Sequence, residues 1–323
     1  MNFRLPALLV IALGVVLPGV SLGNPTQVYK GTPHDAFYGL CASESLGLVV
    51  GDAGLILETE DAGSNWTALE PFTDKALLDV SCHSDVSLIV GQGGLIYRRT
   101  ADDFNPVISG TDARLLAVSN VASNGLAFAV GGFGTILRSS DEGLTWESLA
   151  VDWPSMTGDF FEPHLYDVHV SDNGIVTIVG EFEMVIRSAD QGNSWQAAHI
   201  GEASLFGLNL LSNGLGFAVG QNGKILKTTD GGQTWLQLDS PADGILLNVW
   251  ASGAGDVMVS GIRNMLQSTD NGNQWLRIDQ GDLSLGWYQG LAVIDEDGLA
   301  GKFALLAGHG GSLIKLKLEK NKN

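Results

Sequence analysis

The chain is short of positive charge. Only 16% of its 323 residues are charged, and 36 carboxylates face 17 lysines and arginines, for a net charge of −19. A surface of that sign lacks the cations that displace counterions from a phosphate backbone, so a nucleic-acid partner is excluded. The six histidines (His34, His83, His164, His169, His199 and His309) are scattered singly. His164 and His169 do not stand at a metal-binding spacing. No G-x-S-x-G, H-E-x-x-H or P-loop pattern is present. The acidic turns lack the alternating oxygen ligands of an EF-hand loop. Neither a metal nor a cofactor is therefore expected. Beyond residue 23 no stretch is apolar enough to span a membrane. What the chain has in quantity is glycine, 43 residues, and a 45% hydrophobic content: many turns, and enough apolar mass for a core.

The N-terminus reads as a secretory leader. Arg4 supplies the positive n-region, and an apolar run from Leu5 to Val20 follows, broken by Pro6, Gly14, Pro18 and Gly19. Ser21 and Gly23 are the small residues of a cleavage site before Asn24. The run is short and interrupted for a membrane anchor, and no cysteine follows the site as in a lipoprotein. A signal peptide is expected over 1–23, and export to a periplasm or an equivalent lumen, or beyond the cell.

From there on the sequence repeats. The segment Ala218 to Trp235, A-V-G-Q-N-G-K-I-L-K-T-T-D-G-G-Q-T-W, has a near copy from Ala129 to Trp146. The pattern [ST]-x-D-x-G-x-x-W occurs five times, ending in the pairs Asp61/Trp66, Asp141/Trp146, Asp190/Trp195, Asp230/Trp235 and Asp270/Trp275. Each aspartate can accept backbone N–H groups and lock a turn, glycine allows φ > 0, and tryptophan covers the hairpin. These are structural roles. A second marker, a glycine after an apolar run, falls at Gly51, Gly91, Gly131, Gly180, Gly220, Gly261 and Gly308. Seven markers at a period near 40 predict an all-β, seven-bladed propeller of four-stranded blades over 24–323. In blade five the strands are expected at Leu205 to Leu211, Leu215 to Val219, Lys224 to Thr228 and Trp235 to Leu238. Blades two and seven lack the box. Blade two has only Thr100-Ala101-Asp102-Asp103, and blade seven ends at Ile314 to Lys317, too early for a fourth strand. Gln27-Val28-Tyr29 is expected to supply that strand and close the ring.

This unit resembles the Asp-box (BNR-repeat) propellers, and within them the photosystem II stability and assembly factor family with its exported relatives in non-photosynthetic bacteria. The resemblance implies a seven-bladed propeller without catalytic activity that binds a membrane or envelope protein and helps its assembly; the chain is expected to be a monomer. The alternative is a glycan-binding or glycan-hydrolysing propeller of sialidase type, since sialidases carry the same boxes. The R-I-P motif and the spare arginines of a sialidase are absent.

Three features are candidates for partner binding. A basic residue ends the third-strand apolar pair in five blades: Arg98, Arg138, Arg187, Lys227 and Lys315. Blades one and six have Glu58 and Gln267 instead. The five cations either make a local positive patch for acidic partner segments or pair within and between blades. Second, Val151 to His164 breaks the period between blades three and four and carries Trp153, Phe160 and Phe161 beside Asp159 and Glu162; it is either an exposed partner site or a loop folded over blade four. That blade also departs from G-x-x-G, reading Gly180-Glu181-Phe182-Glu183. Third, insertions at Gln280 to Gly290 and Ile294 to Lys302, with Trp287, Tyr288, Asp295, Glu296 and Asp297, either extend one face or reflect an irregular closing blade. Cys41 and Cys82 fall in the first strands of blades one and two, about one residue out of register; an exported compartment permits a disulfide, while the mismatch and the spacing expected between innermost strands favour two buried free thiols.

Overall fold

The computed structural model describes residues 23–43, 46–83, 85–101, 103–121, 123–158, 161–296 and 301–318. The expected leader, except Gly23, lies outside them, as do Asp102, Asp159, Phe160 and Asp297. The chain forms seven antiparallel four-stranded sheets arranged as a propeller. Blade one comprises Phe37–Ala42, Gly47–Gly51, Ile56–Thr59 and Thr67–Ala68, and blade five Leu205–Leu210, Gly216–Gly220, Ile225–Thr228 and Leu236–Gln237. Blade two builds a fourth strand, Asp103–Val107, without a box. Blade seven has Tyr288–Glu296, Gly301–Gly308 and Ser312–Leu318, and Thr26–Lys30 pairs with the last of these to complete it. The ring closes as the sequence leads one to expect.

The second strands of five blades are buried throughout, because each is covered on both faces by neighbouring blades. They therefore read as continuous apolar runs rather than alternating ones. Each ends at a marker glycine, for a steric reason. A Cβ on Gly51, Gly131 or Gly220 would lie 2.1, 2.0 or 1.9 Å from the carbonyl oxygen of Ala36, Arg114 or Ser204. The next N–H in each case donates to that same oxygen, at 2.9 Å from Asp52, Gly132 and Gln221. The other four blades repeat the arrangement. The repeat's period is thus set by a backbone approach that only glycine permits.

The box turns close the third-to-fourth-strand hairpins. In blade five the Thr228 hydroxyl meets Asp230 at 2.7 Å and accepts from the Gly232 N–H at 3.0 Å, while Asp230 accepts from the N–H groups of Gln233 and Thr234. The indoles of Trp66, Trp146 and Trp235 donate to the box glycine carbonyls at 3.2 Å. Trp195 and Trp275 instead stand edge-on to Phe128 and Phe217 of the preceding blade.

The seams between blades are stapled by the repeated cations. Arg98, Arg138, Arg187, Lys227 and Lys315 donate to the carbonyls of Glu142, Gln191, Gly231, Asn271 and Ala62, at 2.8, 2.7, 3.2, 2.7 and 3.1 Å. Each acceptor is the residue after the box aspartate of the next blade, held at positive φ. The two exceptions now have a reason. Glu58 and Gln267 precede blades two and seven, the blades without a box, so no such carbonyl is there to receive a cation. Glu58 instead pairs with the buried Arg99 of blade two.

The cysteines correct an expectation. Cys41 and Cys82 form a disulfide, with Cα atoms 5.7 Å apart. Adjacent first strands run closer than expected: a Cβ on Gly39 would lie 2.7 Å from the Cα of Asp79. They are also staggered by one residue, so a side chain on one blade faces the following position on the next. Ser81 meets Asn120, and the Ser119 hydroxyl meets the Val170 N–H, at the same offset. The one-residue mismatch that argued against a bridge is what permits it.

Candidate binding site on the upper face

The hairpins between second and third strands, and the connections from one blade to the next, share one face of the disc, here called upper. Box turns lie on the other. Every first strand enters from the upper face through a β-bulge. Pairing slips between Phe37 and Gly39, Leu77 and Asp79, and at the same place in the other five blades. The residue inside each slip is left out of the ladder and re-aimed. These residues are Tyr38, Leu78, Leu116, Tyr166, Phe206, Leu247 and Gln289, one from each blade, and all line a cavity of about 480 Å³ at the mouth of the central channel.

The mouth is not symmetric. Tyr166 and Phe206 meet at 4.8 Å on one side, and His164 and Phe133 continue outward from them in steps of 6.5 and 5.1 Å. Opposite, Tyr38 stacks on Trp287 at 6.0 Å, with His309 a further 6.4 Å on. Blades seven and one lie across the ring from blade four, so the two aromatic files and the mouth form one trough across the face. Phe133 is 70% exposed. Phe182, 42% exposed, flanks the trough with Phe161 against it at 4.7 Å.

Charge at the mouth is sparse. Asp52 and Arg114 are its charged lining residues. Burial raises the Tyr38 hydroxyl above its ordinary value, Asp52 adds to this and Arg114 opposes it. Burial, then Glu181, raises Tyr166. Both phenols therefore stay protonated and can donate. Below the mouth stand Asp79 and Asp167, pushed up by burial to about 7 and about 8. Both are committed to the seams: Asp79 accepts from the Val118 N–H at 2.9 Å, and Asp167 from Leu208 at 2.7 Å and Val168 at 2.8 Å.

Both phenylalanines of the rim occupy left-handed backbone, Phe133 at φ 54° and Phe182 at φ 61°, where sibling hairpins carry Ala53, Gly93, Asn222, Arg263 and Gly310. Glu183, also left-handed at φ 49°, replaces the glycine of G-x-x-G. Burial of its carboxylate works against ionisation, but His199 and Lys224, each at 3.2 Å, and the backbone N–H groups of Glu202 and Ala203 hold it below its ordinary value. That cluster fixes the hairpin that presents Phe182.

The candidates drawn from the sequence divide. Trp153, on a short helix Trp153–Thr157, is 5% exposed and packs in the core between blades three and four, so it covers rather than presents. Phe161 reaches the surface cluster, and Phe160 lies outside the described residues. The polar ends of the five cations are engaged at the seams. The last insertion does not extend one face: Gln280 to Gly290 is on the upper face and delivers Trp287, whereas the described ends of the other, Glu296 and Gly301, stand at the lower one. Sequence reasoning missed the mouth ring. Aligning the residue after each first-strand anchor (Phe37, Leu77, Leu115, Leu165, Leu205, Leu246, Tyr288) is the signal that finds it.

No protein-family model matches the chain, and no curated protein matches it in sequence. Solved structures do. A structure of YCF48 bound to D1 peptide is 18% identical, with a TM-score of 0.69 over 91% of this chain and 96% of that one. YCF48 from Cyanidioschyzon merolae is 18% identical, with a TM-score of 0.70 over 91% and 99%. The WD40 propeller domain of Doa1 is 13% identical, with a TM-score of 0.72 over 94% and 98%. At these identities the likeness is one of fold.

Proposed function

We propose that this protein is a non-catalytic, exported scaffold that binds a segment of a membrane or envelope protein across its upper face and assists its assembly. The observation that carries the reading is the trough. Seven blades each contribute a bulged residue to one mouth, and the insertion before blade four and the one before blade seven each add an aromatic, His164 and Trp287, leading away from it. Half-buried aromatics around a concave centre of mixed apolar and polar lining suit protein recognition. That a propeller of this fold, YCF48, has been solved with a peptide bound supports the role class. A glycosidase would need two carboxylates facing its substrate. The mouth offers Asp52 alone, and Asp79 and Asp167 are tied to backbone N–H groups.

The test is photocrosslinking in the native host, with a benzophenone side chain at position 206 and, as control, at the exposed Leu236 on the outer edge of blade five. Capture of a membrane or envelope protein from position 206 and not from 236 is expected. No capture from 206, or the same set from both positions, overturns the reading.

A further inference from the structure

We infer that the segment this trough takes is a polyproline II helix, a proline-bearing stretch of the partner rather than an added strand or an amphipathic helix. The inference rests on the reading of the upper face as a protein-binding site and names the conformation recognised there.

Three observations carry it. First, among the described residues the face has no strand edge to extend. Its surface is made of hairpin tips and blade connections, and the outermost strands, two residues long in four blades, lie at the rim of the disc. A bound chain therefore cannot gain affinity through a hydrogen-bonded ladder and must be held by its side chains. Second, what the face does offer is rings in file. The steps from Phe133 through His164 and Tyr166 to Phe206 are 5.1, 6.5 and 4.8 Å. A polyproline II helix rises about 3 Å per residue, so each of these steps is comparable to the rise of two of its residues. Its pyrrolidine rings pack on aromatic faces with little conformational entropy to lose. Third, such a helix has no internal hydrogen bonds, and its carbonyls need donors. The mouth supplies donors of that kind: the phenols of Tyr38 and Tyr166 and the amides of Gln92 and Gln289. An amphipathic helix satisfies its own carbonyls and would leave these donors facing apolar side chains.

The experiment measures fluorescence anisotropy of a labelled oligoproline peptide, and of the same peptide with every proline replaced by alanine, against the mature protein. The oligoproline should bind and the alanine peptide should not. Tyr166→Ala and Phe206→Ala should each weaken binding about tenfold, while Tyr166→Phe should weaken it less. Thermal unfolding shows whether the variants keep their fold. Should a variant fail to fold, Tyr38→Ala on the opposite file provides the same comparison. Equal binding of both peptides, or of neither, overturns the inference. Crosslinking from position 206 separates the two readings: a partner captured there without oligoproline binding sinks the polyproline II assignment alone, and no capture sinks both.

Discussion

The lower rim and the upper face are made by the same seven repeats, and they differ in how strictly the repeat is kept. Around the lower rim the arrangement is a rule with explained exceptions. A cation stands at the end of the third strand wherever the next blade has a box turn to receive it, and Glu58 and Gln267 stand where it does not. On the upper face, equivalent positions hold Tyr38, Leu78, Leu116, Tyr166, Phe206, Leu247 and Gln289, with no common side chain. A backbone that is identical in each blade places them, and nothing in the fold requires their identity. Repetition marks what holds the blades together, and departure from it marks the surface free to be specific. Phe133 and Phe182 belong to that departure: the equivalent hairpin position holds Ala53, Gly93, Asn222, Arg263 and Gly310 in the other blades.

The comparison predicts that the largest loss of stability follows from the shared backbone. Gly220→Ala brings a methyl group to 1.9 Å from the Ser204 carbonyl and should destabilise the protein by more than about 3 kcal/mol, or prevent folding; denaturant unfolding measures it. Next comes the pH response of the channel. Asp79 and Asp167 are raised in the folded protein to about 7 and about 8. Their burial therefore carries no penalty below the unfolded value near 4 and a growing one as pH rises toward 8. The box residues Asp61, Asp190 and Asp230 are held at about 2, first by side-chain hydrogen bonds from Asn65, Ser194 and Thr234. Their contribution is complete above about pH 4 and lost as pH falls toward 2. Thermal stability should peak near pH 4–5. Asp79→Asn keeps an acceptor for Val118 and should raise the melting temperature at pH 8 by several degrees and change it little near pH 4; a melting temperature unchanged at pH 8 would contradict this account.

The opposite signature is expected on the upper face. The double variant Tyr166→Ala/Phe206→Ala removes two half-buried rings that support each other and little else. Partner affinity should fall about thirtyfold, on the order of 2 kcal/mol. The melting temperature should move by no more than a few degrees. A large loss of stability would place these rings with the core and remove the contrast between the two faces.

The fold was legible because its signals are local and repeated. The marker glycines answer to one carbonyl contact each, and the boxes to one turn. The closing strand was legible because Gln27-Val28-Tyr29 reads as a strand with no partner nearby in sequence, and it pairs with Ser312–Leu318. The candidate site was less legible, for two physical reasons. A β-bulge shifts side-chain direction by one residue without leaving a mark in composition, so Tyr166 and Phe206 read as ordinary strand positions. The stagger between neighbouring blades is likewise absent from any one blade's sequence, and it decides that Cys41 meets Cys82. Burial completes the list: Trp153 and Phe161 stand eight residues apart in one insertion, yet the first is core and the second surface, because the short helix Trp153–Thr157 turns the indole inward.

The smallest effect is expected at the seams, where it separates two roles for the repeated cations. Arg138 is tied to the Gln191 carbonyl at 2.7 Å, to Asn193 at 3.1 Å and to Glu147 of its own blade at 2.7 Å. Arg138→Met keeps the apolar stem and removes the bonds. Its loss should cost about 1 kcal/mol, because water replaces part of what a partly exposed guanidinium gives up. Lys227→Met, two seams on, should behave alike, since it too reaches a box carbonyl. The loss should be independent of salt for the carbonyl bond and should shrink with salt for the Glu147 pair. Partner capture from position 206 should be unchanged in both variants. If capture is lost while the melting temperature holds, the cations serve a partner directly, and the division between a repeated lower rim and a variable upper face no longer describes where this propeller binds.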